Sequence, residues 1–168
     1  VRRAPAGCVI MTETKTDSQP PDSAATTPVV QLLELGAHFA LAERAAKIGY
    51  WRHHVSEKHP VWSPGFFAIL GLDPSVQPSG EYLLQRIHPD DRVKVATGIA
   101  AAISEGKPFT YRTRSWNTGG AEQFFDTHGD VERGPDGRVS AVLGVVREVT
   151  AEVAAEEKLK DSEAAYRF

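Results

Sequence analysis

The order of predicted elements indicates an α+β fold, in which a five-stranded antiparallel sheet carries helices on one of its faces. Two strands come first, several helices follow, and three further strands form a meander. Glycine-containing hairpin turns at 117–120 and 134–137 separate the last three strands. An amphipathic helix before this core and an outgoing helix after it complete the predicted architecture.

The N-terminal part divides into a leader and a helix. Residues 1–28 are predicted to be a disordered leader, because prolines and small polar residues leave too little apolar surface to offset the entropy of ordering. Residues 29–47 are predicted to form an amphipathic helix, because apolar side chains recur from Val29 at helical spacing. Thr27 is its expected N-cap, with Pro28 at the first helical position. The apolar stripe must be covered either by the sheet of its own domain or by a partner's helix.

The folded core is predicted to span residues 48–150. Its helices have recognisable ends: Gly71 is a natural C-cap, the residue before Pro89 is pushed out of helical angles, and Gly106 closes the longest helix. The predicted elements in chain order are strands at 49–55 and 60–63, helices at 63–71, 82–87 and 89–104, and strands at 109–116, 122–131 and 138–149.

The segment after the core, residues 151–168, is predicted to be an outgoing signalling or linker helix, because it is rich in Ala, Glu and Lys. Thr150 is expected to cap its start, and Glu156 and Lys160 are spaced for an i,i+4 ion pair. Residues 160–168 look like a connector into another domain. We therefore expect the chain to be a fragment of a larger protein.

Bulk composition excludes several classes of protein. The chain has 168 residues, 41% apolar and 24% charged, which is typical of one globular domain with flanks. A net charge of -3 provides no basic field for nucleic acid. No stretch approaches the roughly 20 consecutive apolar residues that span a bilayer. The single cysteine, Cys8, cannot form an internal disulfide, which suits a cytoplasmic protein.

His88, Asp90 and Asp91 are close enough in sequence to suggest metal ligands, but helix capping accounts for them better. Pro89 takes the first helical position, and the two carboxylates that follow meet the positive end of the helix dipole. Each such carboxylate stabilises a helix by about 0.3–1 kcal/mol. His88 occupies the position of the N-cap.

A second group of histidines, His53, His54 and His59, lies in the first predicted hairpin. Adjacent residues of a strand point to opposite faces, so His53 and His54 cannot both bind one ion. A solvated polar hairpin is favoured over a pH-sensing histidine. No metal site is predicted.

Four short strings occur in a fixed order, and their order and spacing are more specific than any one of them. They are Ile48–Trp51, Val61–Ser63, His88–Arg92 and Gly144–Thr150. Together they resemble a PAS sensor domain, of the bacterial subgroup whose helices are joined by a His-Pro-Asp-Asp-Arg turn. The resemblance covers residues 45–150 and implies a module that senses and relays rather than catalyses. Because the sequence contains no nucleophile elbow, phosphate loop or kinase phosphoacceptor region, no catalytic residue is predicted.

The resemblance places a pocket between the inner face of the sheet and the short helices. The candidate lining residues are Phe67, Leu70, Tyr82, Leu83, Arg86, Tyr111, Thr113, Phe125, Thr127 and Leu143. An apolar cavity with a few polar groups is the usual form of a small-molecule site, but the same residues could be a packed core without a cavity. Arg86 could meet a carboxylate or phosphate, or project to solvent.

The resemblance also limits the cofactors. Flavin-binding light sensors need a photoactive cysteine in their first helices, whereas Cys8 lies in the leader. We therefore expect no photoactive flavin and no thioester-linked chromophore. Haem-binding members use a histidine on the helix that faces the sheet, and the helix at 82–87 has none, so haem is disfavoured. An unidentified small molecule is left as the candidate ligand.

Glu148 and Thr150 are the predicted signal-relay residues. Similar proteins end the last strand with Asp-Ile-Thr, whose acid and threonine fasten the outgoing helix to the core. Glu148 is one methylene longer than that aspartate. Phe124 occupies a position where this subgroup often has tryptophan, so an indole hydrogen bond to a ligand is not carried over.

The leading functional hypothesis is a cytoplasmic sensory and dimerisation module that relays a ligand- or partner-induced change through its flanking helices. A homodimer through those helices is expected. The output domain would lie in the same polypeptide, a sensor histidine kinase being favoured and a diguanylate cyclase next. The alternative is an interaction domain without a ligand.

Overall fold

The computed structural model describes residues 28–166 of the chain. Five helices and five strands lie in this part, in the order expected from the sequence. They are α1 (Pro28–Ala46), β1 (Ile48–His54), β2 (Val61–Trp62), α2 (Pro64–Ile69), α3 (Gly80–Arg86), α4 (Pro89–Glu105), β3 (Phe109–Trp116), β4 (Glu122–Arg133), β5 (Val139–Glu148) and α5 (Thr150–Ala165).

The five strands form one antiparallel sheet in the order β2-β1-β5-β4-β3, which confirms the predicted fold class. The first long strand, β1, is paired along its whole length with the last strand, β5, from Ile48 opposite Arg147 to His54 opposite Ala141. The chain therefore enters and leaves the domain at neighbouring positions in the middle of the sheet.

One face of the sheet is covered by α2, α3 and α4, and the core lies between them. Side chains alternate along each strand, so every second residue of β1, β4 and β5 points into this core. The buried cluster consists of Trp51, Trp62, Phe66, Leu70, Leu72, Ala102, Phe125, Val142 and Val146.

Two glycines of the sheet allow this close packing. At Gly49 an added Cβ would overlap the backbone of Phe66, so only glycine lets α2 approach β1 this closely. At Gly144 an added Cβ would lie 2.8 Å from the indole nitrogen of Trp51, which is opposite it in the sheet. These contacts explain why glycine precedes Trp51 by two residues and faces it from β5.

The turn between α3 and α4 is held by its own side chains. His88 is the N-cap of α4, as predicted, and its Nδ1 accepts a hydrogen bond from the backbone N–H of Asp90 at 3.3 Å. Arg92 donates to the carbonyl oxygens of Ile87 and Gln85, each at 3.0 Å. The guanidinium thus satisfies carbonyl groups that the end of α3 leaves without helical partners.

The same turn covers the exposed edge of β3. The Asp91 carboxylate accepts hydrogen bonds from the backbone N–H of Arg114 at 2.8 Å and from its guanidinium at 3.0 and 3.1 Å. The backbone N–H of His88 donates to the Arg114 carbonyl at 2.9 Å, and the Lys94 ammonium donates to the Arg112 carbonyl at 2.6 Å. Since unpaired edge groups invite pairing with another chain, these contacts protect the edge from aggregation.

The N-terminal helix begins at Pro28, the residue predicted as its first helical position, and residues 1–27 of the predicted leader lie outside the described residues. Most of its apolar side chains are exposed: Val29, Val30, Leu32, Leu33, Leu35, Phe39 and Leu41. The sequence predicts that this apolar stripe is covered by the domain's own sheet or by a partner's helix. The domain's own sheet does not cover it. Within residues 28–166, no helix combines the length and apolar character needed to cross a membrane.

Replacing Gly49 by alanine should lower the free energy of unfolding by about 1–3 kcal/mol, because the new methyl group would overlap the backbone of α2. Gly36→Ala is the matched control, since nothing lies within 4 Å of its added Cβ and it sits in a helix, where alanine is favoured. Urea unfolding of both variants checks this. Equal midpoints for the two variants would contradict the packing argument.

Replacing Asp91 by asparagine should cost about 1.5–3 kcal/mol at pH 7, because its hydrogen bonds to a charged partner are lost. In the folded protein, hydrogen bonds from Arg114 hold the pKa of Asp91 below its usual value. The carboxylate's contribution is therefore fully present above the unfolded pKa of about 3.9, and it is lost as pH falls below that value. Urea unfolding at pH 7 and pH 3 should show a smaller acid loss for Asp91→Asn than for the parent.

The control for this measurement is Asp90→Asn, since the Asp90 side chain is largely exposed. Its cost should stay below about 0.5 kcal/mol at either pH. An acid loss in Asp91→Asn that equals the parent's would count against the edge contact as a source of stability.

Candidate functional site

A cavity of about 90 Å³ lies between the inner face of the sheet and helices α2 to α4. Its walls are largely aromatic and aliphatic. The aromatic lining residues are Trp51, Trp62, Phe66, Tyr111 and Phe125, and the aliphatic ones include Leu70, Leu83, Ile87, Val95, Ile99 and Val146. The polar ones are His53, Thr113, Ser115 and Thr127.

Six of the ten predicted pocket residues line this cavity. They are Leu70, Leu83, Tyr111, Thr113, Phe125 and Thr127. Phe67 and Tyr82 pack against the core beside the cavity without lining it. Both contact Trp62, at ring-centroid distances of 5.5 and 6.5 Å, so they support its wall from behind.

Leu143 lies on the opposite face of the sheet, not in the interior as expected. Its neighbours Val142 and Val146 point inward, and strand alternation therefore turns Leu143 outward, into an open groove with Tyr50 and His128. The run from Val139 to Val146 is almost continuously apolar, so its sequence gave no sign of which residues face the core.

Arg86 also lies away from the cavity lining. One terminal nitrogen, Nη2, is 3.5 Å from the Trp116 carbonyl oxygen, and its Nε is buried and has no hydrogen-bond partner within the described residues. The sequence leaves two alternatives for this side chain, contact with an anionic ligand or projection to solvent. In the structure Arg86 neither lines the cavity nor is fully exposed.

The polar groups of the cavity are hydroxyls and one imidazole. Ser115 donates its hydroxyl to the Arg86 carbonyl at 2.8 Å. Burial raises the pKa of Tyr111 to about 12, so its phenol is neutral at physiological pH. At the rim, His53 Nε2 is 2.9 Å from the Glu57 carbonyl oxygen. Thr113 is buried, and it lines the cavity from β3 together with Ser115.

The junction of α1 with the core depends on Glu43, which the sequence reading did not single out. Glu43 is 2% exposed, and it is the buried residue of α1. Its carboxylate accepts hydrogen bonds from the Ser63 hydroxyl and, at 3.1 Å, from the Gly65 N–H. Ser63 Oγ in turn accepts from the N–H groups of Tyr50 at 2.9 Å and Phe66 at 3.2 Å. A carboxylate at the start of α2 thus holds α1, β1 and α2 together.

Glu148 connects the incoming helix to the end of β5. Its backbone N–H donates to the Lys47 carbonyl at 3.0 Å, and its carboxylate is 3.8 Å from the Lys47 ammonium. Lys47 has a positive φ of 50°, which is uncommon outside glycine and marks a sharp change of direction between α1 and β1.

Thr150 connects the outgoing helix to β4. The expectation that it caps α5 is wrong: α5 begins at Thr150 itself, Val149 is the N-cap, and no side-chain cap is made. The Thr150 hydroxyl instead accepts a hydrogen bond from the Phe124 N–H at 3.1 Å. Val149 donates to the Phe124 carbonyl at 2.8 Å. Both flanking helices are therefore attached to one corner of the sheet.

Comparison with known proteins agrees with this geometry. Residues 59–146 match the family model described as PAS fold, and the chain belongs to this family. A comparison with curated proteins gave no match.

Three solved structures show the likeness of fold. A sensory box histidine kinase/response regulator from Burkholderia thailandensis has a TM-score of 0.61 at 22% identity, over 77% of this chain and 98% of that one. The N-terminal domain of a diguanylate cyclase with PAS/PAC sensor from Marinobacter aquaeolei has a TM-score of 0.57 at 21% identity, over 62% and 97%. An RNA-binding light-oxygen-voltage receptor has a TM-score of 0.60 at 21% identity, over 72% and 33%.

Replacing Thr150 by valine should loosen the start of α5, because the Phe124 N–H loses its acceptor while the shape of the side chain is kept. The amides of the first two turns of α5 should exchange with solvent about five- to tenfold faster, as expected for a hydrogen bond worth about 1 kcal/mol. Hydrogen exchange measured by NMR checks this.

Thr97→Val is the control, since the exposed Thr97 hydroxyl bonds only to carbonyl oxygens of its own helix, α4. It should leave exchange in α5 unchanged. If Thr150→Val accelerated exchange uniformly over the whole domain, the hydroxyl would be a source of general stability and not a local fastening.

Proposed function

We propose that this chain is a sensory and dimerisation module, which passes a change at its cavity through α1 and α5 to an output domain in the same polypeptide. In this proposal residues 48–150 form the sensor domain, and residues 29–47 and 151–168 are its flanking helices. The observation that supports it best is the shared corner at which Lys47, Glu148 and Thr150 attach both helices to the sheet.

The strands that line the cavity are the strands that hold α5. Thr127 on β4 and Val146 on β5 are opposite each other in the sheet, and both line the cavity. Three residues closer to α5 on each side, the Val149 N–H donates to the Phe124 carbonyl at the start of that helix. A ligand that moved β4 against β5 would therefore displace this attachment. It would do so only by interacting more strongly with one state than with the other.

Homodimerisation through α1 is part of the proposal. Exposed apolar side chains occupy most of this helix, and burying such surface contributes about 25 cal/mol per Å². The same helix of a second copy offers a matching stripe, as in helix pairs that bury their apolar faces against each other. Because Glu43 holds the C-terminal end of α1 to the sensor core, such pairing would transmit movement of that core.

A histidine kinase is the favoured output, and a diguanylate cyclase is the next candidate. Structures named for both outputs share this fold, but their identity to the chain is near 20% and extends only to the fold. The described segment itself is proposed to be non-catalytic and cytoplasmic, without a nucleic-acid partner.

The cavity lining does not fit a photoactive flavin or a haem. None of the lining residues within 28–166 is a cysteine, and the lining histidine, His53, lies on strand β1 with its Nε2 near the Glu57 carbonyl. The volume of about 90 Å³ is also well below the roughly 300–1,000 Å³ of common ligand pockets. We therefore propose a ligand smaller than these cofactors.

The same small volume favours a second candidate function, an interaction domain without a ligand. The two functions are separated by mass spectrometry of the purified chain after denaturation. Release of a stoichiometric small molecule supports the sensory function. A chain that carries and accepts no small molecule, but still dimerises, supports the interaction domain.

Replacing Leu33 by glutamate should weaken dimerisation at least tenfold, because a charge would be placed in the paired apolar stripe. Leucine and glutamate have similar helix propensities, so α1 itself should persist. Sedimentation velocity over a range of concentrations measures the dissociation constant.

Val93→Glu is the matched control, since Val93 on α4 is 70% exposed and Leu33 is 69% exposed. The control should dimerise like the parent. Pairing through α1 would be refuted if the parent chain stayed monomeric over a 100-fold range of concentration. It would also be refuted if both variants lost dimer affinity equally.

A further inference from the structure

We propose that the cavity binds a small uncharged molecule that combines an apolar ring-sized body with a single hydroxyl-like hydrogen-bonding group. This inference rests on the proposed sensory function and adds the chemical class of its ligand. It is carried by the charge, the volume and the polar groups of the cavity.

The first argument is the absence of charge. Among the described residues that line the cavity there is no Lys, Arg, Asp or Glu. Arg86, a candidate partner for a carboxylate or phosphate, is not among the lining residues, and its Nη2 lies 3.5 Å from the Trp116 carbonyl oxygen. Moving an ion out of water without a charged partner is very unfavourable, so an anionic or cationic ligand is disfavoured.

The titratable groups of the lining do not change this result. The Tyr111 phenol stays neutral because burial raises its pKa to about 12. His53 is part-exposed at the rim and is held near the Glu57 carbonyl at 2.9 Å. The phenol carries no charge, and the imidazole lies at the rim and not deep in the cavity.

The second argument is volume and shape. About 90 Å³ is the share of roughly three water molecules at about 30 Å³ each, and a cavity of about 150 Å³ holds benzene. One ring-sized body is therefore the largest guest that this cavity could take, and the walls would have to move outward to hold it. The walls also present rings: Trp62 and Phe66 have their centroids 4.9 Å apart. Aromatic walls favour an aromatic guest by stacking or edge contacts.

The third argument is the set of hydroxyl groups on one wall of the cavity. Thr113, which is 5% exposed, and Ser115, which is 3% exposed, both line it from β3. A ligand hydroxyl within reach of this wall would gain one hydrogen bond, worth about 0.5–1.5 kcal/mol. Thr127 and Tyr111 lie opposite each other on the neighbouring strands and add further hydroxyls to this wall.

The cavity also has a route of entry. The lining includes exposed Gly80 at the start of α3 and part-exposed His53 on β1. Beside this opening, the imidazole of His59 lies 3.0 Å from the Pro78 carbonyl and joins the hairpin to the segment before α3. A small molecule can therefore enter between the hairpin and α3 without separation of the sheet.

The test compares four probes of similar size on the full 168-residue chain at pH 7: phenol, toluene, benzoate and benzylammonium. Phenol is neutral there, because its hydroxyl titrates like that of tyrosine, near 10. The indole N–H signals of Trp51 and Trp62, which both line the cavity, report binding by NMR. We expect phenol to bind at least tenfold more tightly than either charged probe.

Three variants locate the site. Thr113→Val should weaken phenol binding about fivefold and leave toluene binding within twofold of the parent, as expected for one hydrogen bond. Leu83→Trp fills the cavity and should abolish binding of all probes. Leu84→Trp is its control on the same helix, since Leu84 does not line the cavity, and it should bind like the parent. Thermal unfolding verifies that each variant is folded.

Binding of benzoate or benzylammonium as tight as that of phenol would overturn the inference. So would failure of every probe to shift the indole signals of the folded parent chain, or unchanged phenol binding in Leu83→Trp. If these probes fail while denaturing mass spectrometry still releases a stoichiometric small molecule, the ligand class proposed here is wrong and the sensory function stands. A failure here is therefore distinguishable from failure of the proposed sensory function.

Discussion

The close contact of β1 with the start of α2 is the constraint on which the other features depend. It requires glycine at position 49, because any side chain there would overlap the backbone of Phe66. The same contact places the start of α2 where the Glu43 carboxylate can accept its hydrogen bonds. Since β1 is also fully paired with β5, the incoming helix, the covering helix and the last strand are fixed relative to one another at a single point.

The opposite side of the cavity is positioned by a second contact. Asp91 joins the start of α4 to Arg114 on the edge strand β3. Val95 and Ile99 follow Asp91 at intervals of four residues, on the same side of α4, and both line the cavity. The distance between α4 and β3, and with it the width of the cavity, therefore depends on an ion pair that also covers the sheet edge. The Asp91 carboxylate thus contributes to stability, to protection of the sheet edge and to the width of the cavity.

The sequence predicted the secondary-structure elements, which depend on local patterns, but not the contacts between residues that are far apart in the chain. Hydrophobic periodicity, hairpin turns and the cap at His88 gave the elements in order, with most boundaries within about two residues. Glu43 and Asp91 were not recognised as anchors, because their partners lie 20 to 23 residues away and only the fold brings them together. Leu143 was placed on the wrong face, because a nearly continuous apolar strand carries no alternation. Tertiary contacts and strand facing are thus the parts that local pattern cannot supply.

The attachment of the two helices has the strength that a switch requires. Thr150 is fastened to β4 by one hydrogen bond, and Glu148 meets Lys47 through one backbone bond and a 3.8 Å ion pair. Contacts of this kind contribute about 1 kcal/mol each, and the exposed pair contributes less. Coupling energies between sites in proteins are typically 1–3 kcal/mol. A small ligand that reorients β4 against β5 therefore has enough energy to change these polar contacts. Val149 and Val153 are buried at the start of α5, so this apolar packing would keep the helix attached while its polar contacts change.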